Sequence, residues 1–218
     1  MTEPVVLAFP VLSAVPGVQH GFVCRVPGLD VAVDRETALA RLVEIHRRVL
    51  RRAGVPPLRS AEQVHGGDVA VIDSSSPEVA ARADALLTCD PGVTLGIVVA
   101  DCCAVYLVDP RSQAIGLIHS GKKGTEANIA GRCVRTMSEA FGTNPPDLVA
   151  QLSPCIRPPE YEIDFAAEIR RQLAAAGVGR IADDGENTAT DLTRFYSYRK
   201  ERGRTGRMLA YLATRRSW

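Results

Sequence analysis

The chain has 218 residues, a formal net charge of +1, 46% hydrophobic residues and 23% charged ones. That balance excludes a disordered or fibrous protein, and near-neutrality excludes a long electrostatic footprint for nucleic acid, with local basic exceptions at residues 47–52 and 199–207. No apolar run approaches the roughly 20 residues of a membrane-spanning helix and no secretory pattern opens the sequence, so a cytoplasmic chain with neither membrane nor nucleic acid as partner is expected.

The length accommodates one large domain with a full core. The cysteines (Cys24, Cys89, Cys102, Cys103, Cys133 and Cys155) lack paired-knuckle spacing and read as reduced thiols. Residues 18–25 read as a strand closed by Pro27 and Gly28. Asp34 then caps a helix over residues 35–53, with Leu39, Leu42, Val43, Val49 and Leu50 on one face and Gly54 as its stop. His46 shares that face and reads as a packed core histidine.

Gln63-Val64-His65-Gly66-Gly67-Asp68 precedes a strand over residues 69–72, and the paired glycines mark a tight turn. A histidine in such a loop is a better ligand candidate than one on a helix. Residues 74–77 form a loop, 78–83 a short helix, and 84–88 lead to a central sheet. The apolar runs 93–100, 104–108 and 114–118 are strand-like, and the cluster Asp109 to Gln113 turns the last two into a buried hairpin. With that turn centred near Arg111, His119 lies across from Cys103 or Ala104, and Cys102 becomes its diagonal neighbour. Cys102 and Cys103 point to opposite faces of their strand.

After His119, the loop Ser120-Gly121-Lys122-Lys123-Gly124 leads to a helix capped by Thr125 with Ile129, Cys133, Met137, Ala140 and Phe141 on its face. Strand, glycine-containing loop and helix start aim backbone N–H groups and two lysines at an anion, although GxxxxGK[ST] is absent and solvated loop charges explain the lysines equally well. Residues 148–152 and 161–165 read as strands, 166–176 as an amphipathic helix, 183–187 as a polar loop and 192–199 as an aromatic-rich strand. Thr205 caps a last helix through Met208, Leu209, Tyr211 and Leu212. No repeat or linker divides the chain, so one domain is expected.

His65, Cys102 and His119 offer two imidazoles and one thiolate, a set that suits a tetrahedral divalent metal with a fourth position left for water or substrate. Zinc is the first choice for Lewis-acid chemistry in a reducing compartment, with copper as the alternative. The same residues allow a metal-free pair, Cys102 as nucleophile and His119 as base, oriented by Asp101 or a backbone carbonyl. Taken one at a time, they also suit core positions of a non-catalytic ligand-binding protein.

QVHG at residues 63–66, ADALLT at 83–88, ADC at 100–102, DP at 109–110, IGLIHSG at 115–121, FYSYR at 195–199 and RTGR at 204–207 together resemble, in order and spacing, the YfiH/YlmD-type laccase-domain family. That family is described both as multicopper polyphenol oxidases and as purine nucleoside phosphorylases. The resemblance implies an α/β fold, a single-domain layered α/β/β/α sandwich over residues 1–218, and a metal site of two histidines and one cysteine that falls by motif on His65, Cys102 and His119. It implies phosphorolysis of purine nucleosides with phosphate as co-substrate, and deamination of adenosine. Other descriptions within the family are a hydrolase editing peptidoglycan precursors and a copper-dependent polyphenol oxidase. On this reading Arg25 and Lys123 contact the anion, Gln63 orients His65 or the substrate, and Arg199 lines the cleft or forms a surface salt bridge, in a monomer or homodimer. The chain departs from the family's HAGWRG at residues 119–124, exchanging an aromatic surface and a guanidinium for two ammonium groups, and it is short at residues 25–30.

Overall fold

Strands that are apolar on both faces must be covered on both faces, and here two six-stranded sheets stack on each other between layers of helices. The computed structural model describes residues 3–215. In chain order the elements are β1 (Val6–Leu7), α1 (Pro10–Ser13), β2 (Val18–Val23), α2 (Arg35–Ala53), β3 (Leu58–Ala61), β4 (Val69–Val71), β5 (Val79–Ala80), β6 (Ala85–Thr88) and β7 (Thr94–Val99). They continue with β8 (Cys103–Val108), β9 (Ile115–Ser120), α3 (Lys122–Glu126), α4 (Ile129–Phe141), a 3-10 turn (Pro145–Asp147), β10 (Val149–Leu152), α5 (Phe165–Ala175), β11 (Arg180–Asp183) and β12 (Met208–Thr214).

The first sheet has the order β1-β2-β12-β7-β3-β5 and the second β11-β10-β8-β9-β6-β4. Phe22, Leu95 and Ile97 from the first meet Leu86, Tyr106 and Leu117 from the second in the space between them. Outside the second sheet, α4 and α5 pack Ile129, Cys133, Met137, Ile169 and Leu173 against it. Outside the first, α2 sets Val49 and Leu50 against Val23, Leu209 and Tyr211. The result is the expected α/β/β/α layering. Among the described residues no helix is long and apolar enough to cross a membrane.

Between β3 and β8 the chain alternates sheets: β3, β5 and β7 belong to the first, and β4, β6 and β8 to the second. Because β3 runs parallel to β5 and β7, and β4 parallel to β6, the passages from first sheet to second all leave at the same end. Those passages carry Gln63 and His65, then Asp84, then Asp101 and Cys102. One seam between the sheets thus collects the polar residues of three separate loops.

The hairpin forms as its spacing predicts. Ala104 pairs with His119, and Asp109 closes the turn by accepting from the backbone of Arg111 at 2.9 Å and from Ser112 Oγ at 2.7 Å. Helix α2 also has its predicted bounds. Asp34 accepts from Thr37 N at 3.0 Å and Gly54 ends the helix at φ 64°, but its buried stripe runs through Ala38 and Ile45 and leaves Val43 39% exposed.

Elsewhere the structure corrects the sequence. Residues 78–83 hold the short strand β5 rather than a helix, and residues 161–165 turn into Asp164, the N-cap of α5, rather than forming a strand. Thr125 lies inside the short helix α3, and Asn128 caps the longer α4, whose Ala140 is exposed. Residues 192–199 are an irregular aromatic segment, with Phe195 and Tyr196 buried and the Tyr196 hydroxyl accepting from Val26 N at 3.1 Å. The expected last helix is β12, every residue of which is buried between β2 and β7. A continuous apolar run fits a helix and a doubly covered strand equally well.

His46 is 6% exposed, and its Nε2 has no hydrogen-bond partner among the described residues. Burial holds its pKa down at about 4, against 6.5 for a free imidazole. The unfolded chain therefore takes up this proton before the folded chain does, so the stability is intact above pH 6.5 and falls as the pH drops towards 4. Urea titrations across that window should show His46→Leu losing less stability than the parent, the difference reaching up to about 3 kcal/mol. Parallel slopes for the two proteins would contradict this.

Candidate metal centre

His119 is the penultimate residue of β9, and strand alternation puts its side chain on the same face as Leu117, towards the space between the sheets. Cys102 lies on the last passage between sheets, directly before β8, while its neighbour Cys103 points away into the helix-covered core. His65 comes from the first passage and holds a left-handed φ of 60°, as does Gln63 at 59°. Such backbone is costly for a residue with a Cβ and persists only where surrounding contacts impose it.

Those contacts are specific. The Gln63 side chain donates to Val98 O at 2.7 Å and accepts from Val98 N at 2.9 Å, so its amide continues the sheet alongside β7 where β3 has ended. Asp84 accepts from His65 N at 2.9 Å and from Gly66 N at 2.7 Å, and its Oδ1 lies 2.8 Å from His119 Nδ1. The backbone N–H of His119 also donates to Asp84 O, at 2.7 Å. A single carboxylate with no exposure thereby fixes both histidines.

One ligand atom from each of His65, Cys102 and His119 lies within 4.8 Å of the others. The two imidazoles meet edge to face, 4.7 Å between centroids. With Nδ1 held by Asp84, His119 presents Nε2 to the cluster, the arrangement that ligating histidines adopt. Gly121 leaves space for the sulfur, because a Cβ there would stand 2.6 Å from Cys102 Sγ. Two imidazoles and a thiolate, with His65 exposed and His119 only 3% exposed, fit a borderline-soft ion reached from one side.

The electrostatics prepare the same set. Burial pushes the Cys102 thiol up, but hydrogen bonds and charge from His119 and His65 outweigh it and bring the pKa down to about 6. Burial disfavours the charged His119, yet Asp84 and Cys102 raise it to about 9. Burial likewise opposes ionisation of Asp84, and His119 with the Gly66 and His65 N–H groups still holds its carboxyl below the usual range. Hydrogen bonds from the two imidazoles favour the thiolate of Cys102, the form in which a cysteine ligates a divalent cation.

The cluster opens into a cleft of about 780 Å³. Gln63, Lys122, Lys123, Tyr161, Tyr198 and Arg199 are among the residues that line it. Gln63 has both amide atoms engaged with Val98, so it positions the His65 loop. Arg199 donates its backbone N–H to Asp101 Oδ2 at 2.7 Å, pairs with Glu162 at 2.6 Å and stacks its guanidinium 4.7 Å above the Tyr161 ring. Arg25 is not among the lining residues: it pairs with Glu201 at 2.6 Å, donates to Phe195 O at 3.0 Å and covers the Tyr196 ring. Its expected anion contact is replaced by these bonds. Asp101 does not orient His119 either, since its carboxylate accepts from Thr188 Oγ1 and Arg199 N, both at 2.7 Å. Asp84 does so instead. Its signal in the sequence was a carboxylate set directly before the wholly buried run of β6.

Two substitutions test the geometry by metal competition. Asp84→Asn keeps the size of the side chain but points an N–H₂ group at an existing donor, and should weaken zinc binding about 10- to 100-fold. Gly121→Ala should also weaken it while leaving the far-ultraviolet circular dichroism unchanged. Parental zinc affinity in both would contradict the arrangement.

Known proteins share this fold and sequence. A family model described as multi-copper polyphenol oxidoreductase laccase matches residues 25–167 and 162–215. A purine nucleoside phosphorylase of Geobacillus stearothermophilus, YlmD, is 30% identical, with 96% of this chain and 93% of that protein covered. One from Streptomyces coelicolor is 32% identical over 81% of this chain and 76% of its own length. The crystal structure of the Geobacillus protein superposes with a TM-score of 0.80 at 28% identity, over 95% of this chain and 94% of that one. A Neisseria meningitidis protein shares the fold at 21% identity, with a TM-score of 0.81 over 98% and 100% of the two chains. The chain belongs to the multi-copper polyphenol oxidoreductase laccase family, with relatives of the YfiH/YlmD type that are named purine nucleoside phosphorylases.

Proposed function

We propose that this chain is a metal-dependent purine nucleoside phosphorylase that also deaminates adenosine, acting as one cytoplasmic domain with zinc in its site and copper as the alternative ion. The observation that carries the proposal is the convergence of His65, Cys102 and His119 on the wall of a cleft that also presents lysines and aromatic rings. The names of the relatives supply the substrate class.

His65, Cys102 and His119 would hold the zinc, which would supply Lewis-acid chemistry there. The protein supplies the rest. Lys122 and Lys123 hold the phosphate by charge, and Tyr161 and Tyr198 give the purine an aromatic wall to pack against. A phosphate oxygen bonds to C1′ of the ribose as the C1′–N9 bond breaks, and the purine leaves with the electron pair and gains a proton. Asp84 keeps His119 in one tautomer and holds the His65 loop still, so neither reorganises during turnover. For deamination, water replaces phosphate as the attacking group and adds at C6 of adenine while ammonia leaves.

The depressed Cys102 pKa of about 6 supports a second reading, in which Cys102 is itself the nucleophile of a metal-free hydrolase. One experiment separates the two. The protein, with its metal content measured, is incubated with adenosine and inosine, with and without phosphate, and products are followed by chromatography. Free base and ribose 1-phosphate formed only with phosphate, and inosine formed from adenosine, are the expected results. Both should vanish on chelation and return with zinc. Turnover that survives complete metal removal would favour the cysteine nucleophile, and no turnover of either nucleoside would contradict the proposal.

A further inference from the structure

The cleft carries more positive charge than one phosphate requires. Arg35, Lys122, Lys123, Arg199, Arg202 and Arg207 all line it. The carboxylate among the lining residues is Asp101, and both of its oxygens are already engaged, by Thr188 and by the backbone of Arg199. Arg199 is matched by Glu162, and Arg207 donates to the carbonyls of Thr205 and Gly206. Arg35, Lys122, Lys123 and Arg202 have no ion pair among the described residues.

These cations come from separate parts of the chain. Arg35 is the first residue of α2, Lys122 and Lys123 open α3 beside the metal cluster, and Arg202 and Arg207 sit on the segment before β12. Arg35 stands close enough to Arg207 that its charge adds to burial in lowering the Arg207 pKa. Like charges gathered from distant segments repel one another and raise the cost of the folded state. A ligand that carries negative charge to both the lysine group and the arginine group relieves that repulsion.

We propose that this cleft takes, in preference to the bare nucleoside, a purine nucleoside 5′-monophosphate whose phosphate is held by Arg35 and Arg202 with Arg207 beside them. The lysines then remain for the attacking phosphate. This inference rests on the nucleoside reading above. The reaction balances as before: a phosphate oxygen bonds to C1′, the C1′–N9 bond breaks, and the products are the free purine and ribose 1,5-bisphosphate. Tyr161 and Tyr198, stacked with Arg199 and Arg207, line the same cleft and add aromatic surface for the base.

Calorimetry on the full-length, zinc-loaded protein tests this with adenosine, adenosine 5′-monophosphate and inorganic phosphate. The nucleotide should bind about tenfold or more tightly than adenosine, since charge-assisted bonds to one phosphate are worth that much. It should still bind when inorganic phosphate is saturating, because two anion positions are present. In the double variant Arg35→Ala, Arg202→Ala the ratio of nucleotide to nucleoside affinity should fall towards one. Equal affinities in the parent, loss of nucleotide binding in saturating phosphate, or an unchanged ratio in the variant would each overturn the inference. The nucleoside reading fails separately, when neither adenosine nor the nucleotide binds. Adenosine turned over as well as the nucleotide sinks the inference alone.

Discussion

Asp84 is fully buried where three segments meet, and a carboxylate survives ionised in such a place only if donors surround it. The donors are the N–H groups of His65 and Gly66 and the imidazole of His119. Each bond serves two purposes. It satisfies a buried charge, and it fixes one member of the candidate metal set. The left-handed backbone at His65, unfavourable alone, is held in place by the same carboxylate. Asp84 touches no part of the cleft that a substrate would occupy, yet the geometry of both imidazoles depends on it.

The topology explains why these groups meet. Strands β3 to β8 alternate between two sheets, so each passage from the first sheet to the second is a short loop at one shared seam. The sheets themselves are mostly apolar, with β6, β8, β9 and β12 buried along their whole lengths, and of the candidate ligands only His119 stands on a strand, near the end of β9. His65 and Cys102 stand on the loops at the seam, and the packed layers behind those loops make their positions rigid. Function in this fold is therefore located at the join between sheets, on a scaffold that gives each loop little freedom.

The hairpin was legible because its turn chemistry and apolar runs agree, and with it the neighbourhood of Cys102 and His119. Helix α2 was legible from Asp34 and Gly54. The region around β12 was not, because a strand covered on both sides loses the alternation that distinguishes it from a helix. The aromatic segment around Phe195 has strand composition but turns in space, its rings anchored on Phe22 and Arg25 by tertiary contacts that no local pattern encodes. His65 could be singled out by its glycine-rich loop, but its distance from Cys102 is set by the alternation of sheets, a long-range property. Arg25 and Asp101 carried the right chemistry in the wrong place, since their partners Glu201 and Thr188 are 176 and 87 residues away in sequence.

The account stands or falls on a sulfur and two imidazole nitrogens sharing one ion. X-ray absorption at the metal edge of the purified protein measures this directly. The account predicts a stoichiometric ion with one sulfur neighbour at about 2.3 Å and two nitrogen neighbours at about 2.0–2.1 Å, the zinc–ligand distances of such a set, plus a light atom in the open position. An ion bound without sulfur would contradict it.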